Sequence, residues 1–171
     1  MTSMPIAMYP GSFDPIHFGH LDVIEQAVEL FGRVVIVTML NPAKPSGAFG
    51  LVERQAMITE SLAAWSSPAA RHVTVETHPG LAIDAAVAFG AGVIVKGLRS
   101  AADFDVEQQM ALTNHAVGGV RTVFVPAAPQ LSFISSRYIR EIARHGRDLS
   151  GLVPAPVASR LAALAEGGNR K

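Results

Sequence analysis

Two short strings have the residue types to handle a phosphate. In His17-Phe18-Gly19-His20 two histidines flank a glycine just where a helical pattern begins. Glycine permits close backbone approach, and a helix start offers free N–H groups and a partial positive charge. The second string, Gln130-Leu131-Ser132-Phe133-Ile134-Ser135-Ser136-Arg137, opens another helical pattern with hydroxyls and an arginine. Two further loops carry Asn41-Pro42-Ala43-Lys44 and Lys96-Gly97-Leu98-Arg99. With the first loop taken from Pro10 to His20, these four loops hold His, Lys, Arg and Ser, and their one acid is Asp14. Such groups suit a polyphosphate: point charges, guanidinium forks, hydroxyls and helix N-termini.

Each residue also has an ordinary reading. His20 can simply cap or pack a helix start. His17 and His20 can be a metal pair, although no third ligand is evident nearby. Lys44 and Arg99 can be solvated loop charges, Ser135 a plain N-cap and Glu107 a solvated helix charge. Asp14 resembles a metal ligand but also suits a turn fixed before Pro15. Trp65, Phe104 and the methionines read as core. The chain has no G-x-x-x-x-G-K-[ST] string, and no G-x-G-x-x-G follows its first strand, so a phosphate site must be built another way.

The elements that position these loops alternate. Strands are expected at Ile6–Tyr9, Val34–Met39, His72–Glu76, Val93–Val95 and Arg121–Val125. Helices are expected at Gly19–Phe31, Leu51–Ala64, Leu81–Phe89, Asp103–Val117, Ser135–Arg144 and Pro154–Ala165. Strands separated by helices imply right-handed βαβ units, hence an α/β, doubly wound, five-stranded parallel sheet with helices on both faces. The element order also fits a flavodoxin-like sheet, and the fold alone names no function. Ligands of open parallel sheets bind beyond the carboxyl ends of the strands, where these loops lie.

Composition excludes other classes. The chain has 171 residues, with 14 Lys plus Arg against 14 Asp plus Glu. A formal charge of zero leaves no electrostatic footprint for nucleic acid or an anionic membrane. Charged residues are 16% and hydrophobic ones 49%, which suits a compact fold or an oligomer. The absence of cysteine excludes disulfides, thiolate nucleophiles and Cys-held metals. No signal peptide or membrane span is expected, so a cytoplasmic protein is the expectation. Residues 1–166 read as one domain and 167–171 as a frayed tail.

The motifs carry a resemblance. His17-Phe18-Gly19-His20 is similar to the [HT]-x-G-H signature of the HIGH-motif nucleotidyltransferases, and Ile134-Ser135-Ser136-Arg137-Tyr138-Ile139-Arg140 to their I-S-S-x-x-x-R signature. Ala7-Met8-Tyr9-Pro10-Gly11-Ser12-Phe13-Asp14-Pro15 further resembles the A-x-Y-P-G-[ST]-F-D-P opening of the bacterial phosphopantetheine adenylyltransferases. The Asn41–Lys44, Lys96–Arg99, Asp103–Glu107 and Ser132–Ser136 blocks follow in that family's order.

The resemblance implies a Rossmann-like nucleotidyltransferase fold and a reaction. ATP and 4′-phosphopantetheine give dephospho-coenzyme A and pyrophosphate with Mg²⁺, in a homohexamer. It implies that His20 donates to the α-phosphate. Ser12 touches both substrates and the Phe13 backbone touches ATP. Lys44 neutralises the acceptor phosphate, Lys96 lies along the acceptor's path, and Leu81 and Ala82 line its arm. Gly97, Leu98 and Arg99 hold ATP, and Glu107 bonds its ribose or adenine side. Leu131, Ser132, Phe133, Ile134, Ser135, Ser136 and Arg137 carry the β- and γ-phosphates. No protein ligand for the metal is assigned. Transfer to nicotinate mononucleotide or a polyol phosphate, or ATP binding without catalysis, are the competing readings. The chain departs from the family at Pro45, Lys96, Val106 and Arg137, where a basic residue, Arg, an aromatic and Ser are common.

Overall fold

The computed structural model describes residues 4–39 and 47–168. Its strands are β1 (Ile6–Gly11), β2 (Val34–Met39), β3 (Val73–His78), β4 (Ala91–Leu98) and β5 (Arg121–Pro126). Its α-helices are α1 (Phe18–Phe31), α2 (Leu51–Ala64), α3 (Ala82–Ala88), α4 (Ala101–Gly118), α5 (Ser136–Arg144) and α6 (Ala155–Gly168). The strands form the expected five-stranded parallel sheet, in the order β3-β2-β1-β4-β5. Because β4 rather than β3 lies beside β1, the order is not that of a flavodoxin-like sheet. The chain reverses direction across the sheet between β1 and β4, and a crevice opens at such a switch point.

Strand side chains alternate between two buried faces, which explains their nearly continuous apolar runs. Ala7, Tyr9, Val34, Ile36, Val93 and Val95 face a core completed by α1, α2, α5 and α6. Met8, Val35, Val37 and Ile94 face the other way, against Ala85 and Ala86 of α3. The two faces are unequally covered. None of the 18 residues of α4 is buried. Met110, Leu112 and Val117 of this helix are exposed.

Three sequence expectations need correction. Strand β4 extends past Val95, because Lys96, Gly97 and Leu98 pair with Phe124, Val125 and Pro126. Those three residues therefore end a strand rather than begin a loop. Gly97 reads as a loop residue, but its place is set by packing: a Cβ there would lie 2.5 Å from Val23 Cγ2 of α1. Phe104 is not core; it is partly exposed and meets Phe124 edge to face at 5.5 Å. The methionines divide, with Met8 and Met57 buried and Met4 and Met110 exposed.

Candidate active site

Strand β1 ends in a turn that leads into α1, and that turn is held from three directions. Arg54 of α2 donates through Nη1 to the Ser12 carbonyl at 2.8 Å. Arg140 of α5 donates to the Asp14 carbonyl. Ser136 Oγ donates to the Pro15 carbonyl at 2.9 Å. Phe13 has a φ of 44°, which is strained for a residue with a side chain. Its ring is buried and meets Tyr9 at 5.3 Å and His20 at 5.0 Å, both edge to face. The Asp14 carboxylate accepts from the Ala48 and Phe49 N–H groups at 2.9 and 3.0 Å. The carboxylate thus ties the turn to the segment that leads into α2.

The histidines at the start of α1 form a unit. Their rings stack at 3.7 Å, and the His17 N–H donates to His20 Nδ1 at 3.2 Å. With Nδ1 accepting, the proton of neutral His20 sits on Nε2, which is left as a donor. Burial pushes the His17 ring down to about 3, with the Arg99 charge adding to it. His20 is also held well below the usual histidine range, by burial first and then by His17, Arg99 and Lys96. Both rings are therefore neutral at pH 7. A Cβ on Gly19 would come within 3.1 Å of the His17 ring, so the space over this glycine belongs to His17.

The opposite wall comes from β4 and α4. Lys96 Nζ lies 3.2 Å from Glu107 Oε1. Arg99 turns its fork onto Asp103, with Nε and Nη2 at 3.0 and 3.2 Å from the carboxylate oxygens. Its Nη1 donates to the Ile134 carbonyl at 3.0 Å. Below them, Ser135 caps α5, its Oγ accepting from the Tyr138 N–H at 3.3 Å. The N-cap reading of Ser135 is thus correct, and it leaves the helix start facing the same space.

These walls enclose a cleft of about 1070 Å³. Ser12, Phe13, His20, Lys96, Gly97, Arg99, Glu107, Leu131, Ser135, Ser136 and Arg137 all line it, so residues far apart in the chain converge as expected. Leu81, Ala82, Leu98, Ser132, Phe133 and Ile134 do not line it. The Ile134 side chain is 2% exposed in the core, and the residue presents its carbonyl to Arg99 instead. Ser132 donates to the Pro129 carbonyl, while Phe133 and Leu81 point their apolar groups to solvent. Lys44 and Pro45 lie outside the described residues.

Arg54, Asp103 and Arg140 also line the cleft, and the sequence reading assigned them nothing. Arg54 had a signal. It falls three residues after Leu51 and four before Ile58, on the apolar face of its helix. A cation on a buried face is uncommon without a partner or a task.

A family model described as cytidylyltransferase-like matches residues 8–142. A phosphopantetheine adenylyltransferase from Bifidobacterium longum (strain DJO10A) is 43% identical over 169 residues, 98% of this chain and 99% of that protein. One from Synechococcus sp. (strain JA-3-3Ab) is 46% identical over 157 residues, 91% and 95% of the two chains. The chain belongs to the phosphopantetheine adenylyltransferases of the cytidylyltransferase-like family. Among solved structures, a lipopolysaccharide core biosynthesis protein from Thermoplasma volcanium GSS1 matches with a TM-score of 0.51 at 18% identity, covering 73% of this chain and 97% of its own; this likeness concerns the fold alone. Among the described residues, no helix is long and apolar enough to cross a membrane.

Proposed function

We propose that this member of the family joins ATP and 4′-phosphopantetheine, releasing pyrophosphate and forming dephospho-coenzyme A. One observation carries the reading: a neutral donor histidine and a serine-capped helix start face one cleft at the switch point. The near full-length identity to the named relatives points to the same acceptor.

The acceptor phosphate is ionised at pH 7 and needs no general base. One of its oxygens forms a bond to the α-phosphorus of ATP as the bond to pyrophosphate breaks. The task of the protein is to align two anions and to stabilise charge at phosphorus. His20 Nε2–H donates to the α-phosphate oxygens, on which charge accumulates in the transition state. The start of α5, with Ser135, Ser136 and Arg137, receives the β- and γ-phosphates. The Ser12–Phe13 turn lies between the two substrates, with Lys44 and Lys96 on the acceptor's side. Arg99 exchanges Asp103 for nucleotide phosphate, and Glu107 leaves Lys96 for the nucleoside.

Mg²⁺ accompanies the triphosphate in this reading. The described residues contain no group of three or more His, Cys, Asp or Glu that could hold a metal. Asp14, Asp103 and Glu107, the carboxylates in the cleft, are already engaged. Mg²⁺ readily sits on substrate phosphates and water, so the reading needs no protein cage for it. No step is assigned to it.

The assembly is a homohexamer and the compartment the cytoplasm. The uncovered apolar side chains of α4 support an assembly. A cysteine-free chain suits a reducing compartment.

The test mixes the protein with ATP, Mg²⁺ and one acceptor at a time, and reads pyrophosphate. Release is expected with 4′-phosphopantetheine and not with nicotinate mononucleotide or glycerol phosphate. Turnover of either of the latter alone refutes the reading.

A further inference from the structure

Arg54 is an arginine that the fold buries without a counter-ion among the described residues. It is 8% exposed, in the first turn of α2, and lines the cleft. Its one hydrogen bond among the described residues runs from Nη1 to the neutral carbonyl of Ser12. Its Nε is buried and finds no partner among the described residues. No ion pair among the described residues includes it. Leaving a buried cation without an anion is costly, so such a group is expected to meet an anion at some stage of function.

Its place in the cleft indicates which anion. Arg54 stands on the β1–β2 side, with Gly47, Phe49, Gly50 and Leu51 leading into its helix and Pro79 after β3 also on the cleft surface. The helix start adds backbone N–H groups of the same polarity, although the Gly50 N–H is taken by Glu53 at 2.8 Å. Across the switch point stand Arg99 and the start of α5, the side assigned to nucleotide phosphates. In-line displacement requires the attacking oxygen to enter opposite the departing pyrophosphate. The side carrying Arg54 is that entry.

We propose that Arg54 is an acceptor-binding residue: while Nη1 holds the Ser12 carbonyl, its remaining charge receives the phosphomonoester of the acceptor. This rests on the adenylyl-transfer reading above and names a residue for its second substrate. The dual use also fixes the Ser12 turn against the group it must approach.

The experiment is calorimetric titration of the full chain, without turnover, using 4′-phosphopantetheine, pantetheine lacking the phosphate, and ATP. Arg54→Gln is expected to lose about 10–100-fold in affinity for 4′-phosphopantetheine, the size of a charge-assisted contact. Its affinities for pantetheine and ATP should match those of the wild type. Arg54→Lys, which keeps the charge without the fork, should recover part of the loss. If Arg54→Gln does not fold, Arg54→Lys decides, with a selective loss for the phosphorylated acceptor expected. An unchanged affinity for 4′-phosphopantetheine, or an equal loss for pantetheine or ATP, overturns the assignment. Because titration needs no chemistry, it stands apart from the pyrophosphate assay, whose failure would instead overturn adenylyl transfer.

Discussion

Charge is held differently on the two sides of the cleft. On the β4 side, Lys96 faces Glu107 and Arg99 faces Asp103, so each cation has an anion from α4. On the β1–β2 side, Arg54 meets, among the described residues, only a main-chain carbonyl. Ligand entry on the first side exchanges one partner for another, and the gain is the difference between two contacts. On the second side a ligand completes a contact that the fold leaves open. Between the two sits His20, a donor kept neutral. A neutral donor adds little to ground-state binding of an anion and gains strength as charge develops, which is where an interaction accelerates chemistry.

The largest expected effect tests that middle position. His20→Ala should lower kcat by about 100–1000-fold, the usual loss for one preorganised donor to a developing oxyanion. The KM for ATP should change little. The sequence suggests a helix-start histidine whose loss leaves the fold alone, but the structure stacks His20 on His17 and sets it against Phe13. Some loss of melting temperature is therefore expected too, and kcat must be measured well below the melt. A near-normal kcat would show that the cleft works through its charges alone.

The neutral histidines also make stability depend on pH. His17 is held down to about 3 in the fold and returns to an ordinary value near 6.5 when unfolded. Between those values the unfolded chain binds a proton that the native one refuses. Stability is therefore full above about pH 6.5 and falls as pH drops toward 3, by about 1.4 kcal/mol per unit for one such group. His20 acts in the same direction. Melts at pH 7.5 and pH 5 should differ by about 2 kcal/mol from His17 alone. His17→Thr should flatten that slope, and a slope unchanged by the substitution would show that His17 is protonated in the native state.

The parts legible in the sequence were those with a period or an ordered string. Val34–Met39 read as a strand because both its faces are buried. His17, Gly19 and His20 read as a site because the spacing survives any detail of the fold. Three kinds of feature were hidden. Lys96 to Leu98 resembled a loop because the requirement for Gly97 comes from Val23, distant in sequence. Ile134 belonged to a site string, yet only its carbonyl reaches the site and its side chain is core. The pairing of Lys96 with Glu107 needs β4 and α4 side by side, which no local pattern encodes. Arg54 was visible as a cation on an apolar face, but its meaning depends on the Ser12 carbonyl reaching across from β1.

The smallest expected effect tests the paired side directly. Glu107→Gln removes the carboxylate that faces Lys96 while keeping the size of the side chain. Both side chains retain about a quarter of their exposure, at 24% and 28%, so water already screens the pair. Such pairs contribute about 0.2–1 kcal/mol, and the melting temperature should fall by only a few degrees. If Glu107 is a placeholder for a ligand near Lys96, the freed ammonium should bind the anionic acceptor more tightly, lowering its KM by up to about fivefold. The proposed contact of Glu107 with the nucleoside pulls the other way for ATP, whose KM should rise by a similar factor. Opposite shifts in the two KM values support a pair that separates as the cleft fills. Equal shifts would mean that the Lys96–Glu107 contact persists through the reaction and that the β4 wall is a fixed scaffold.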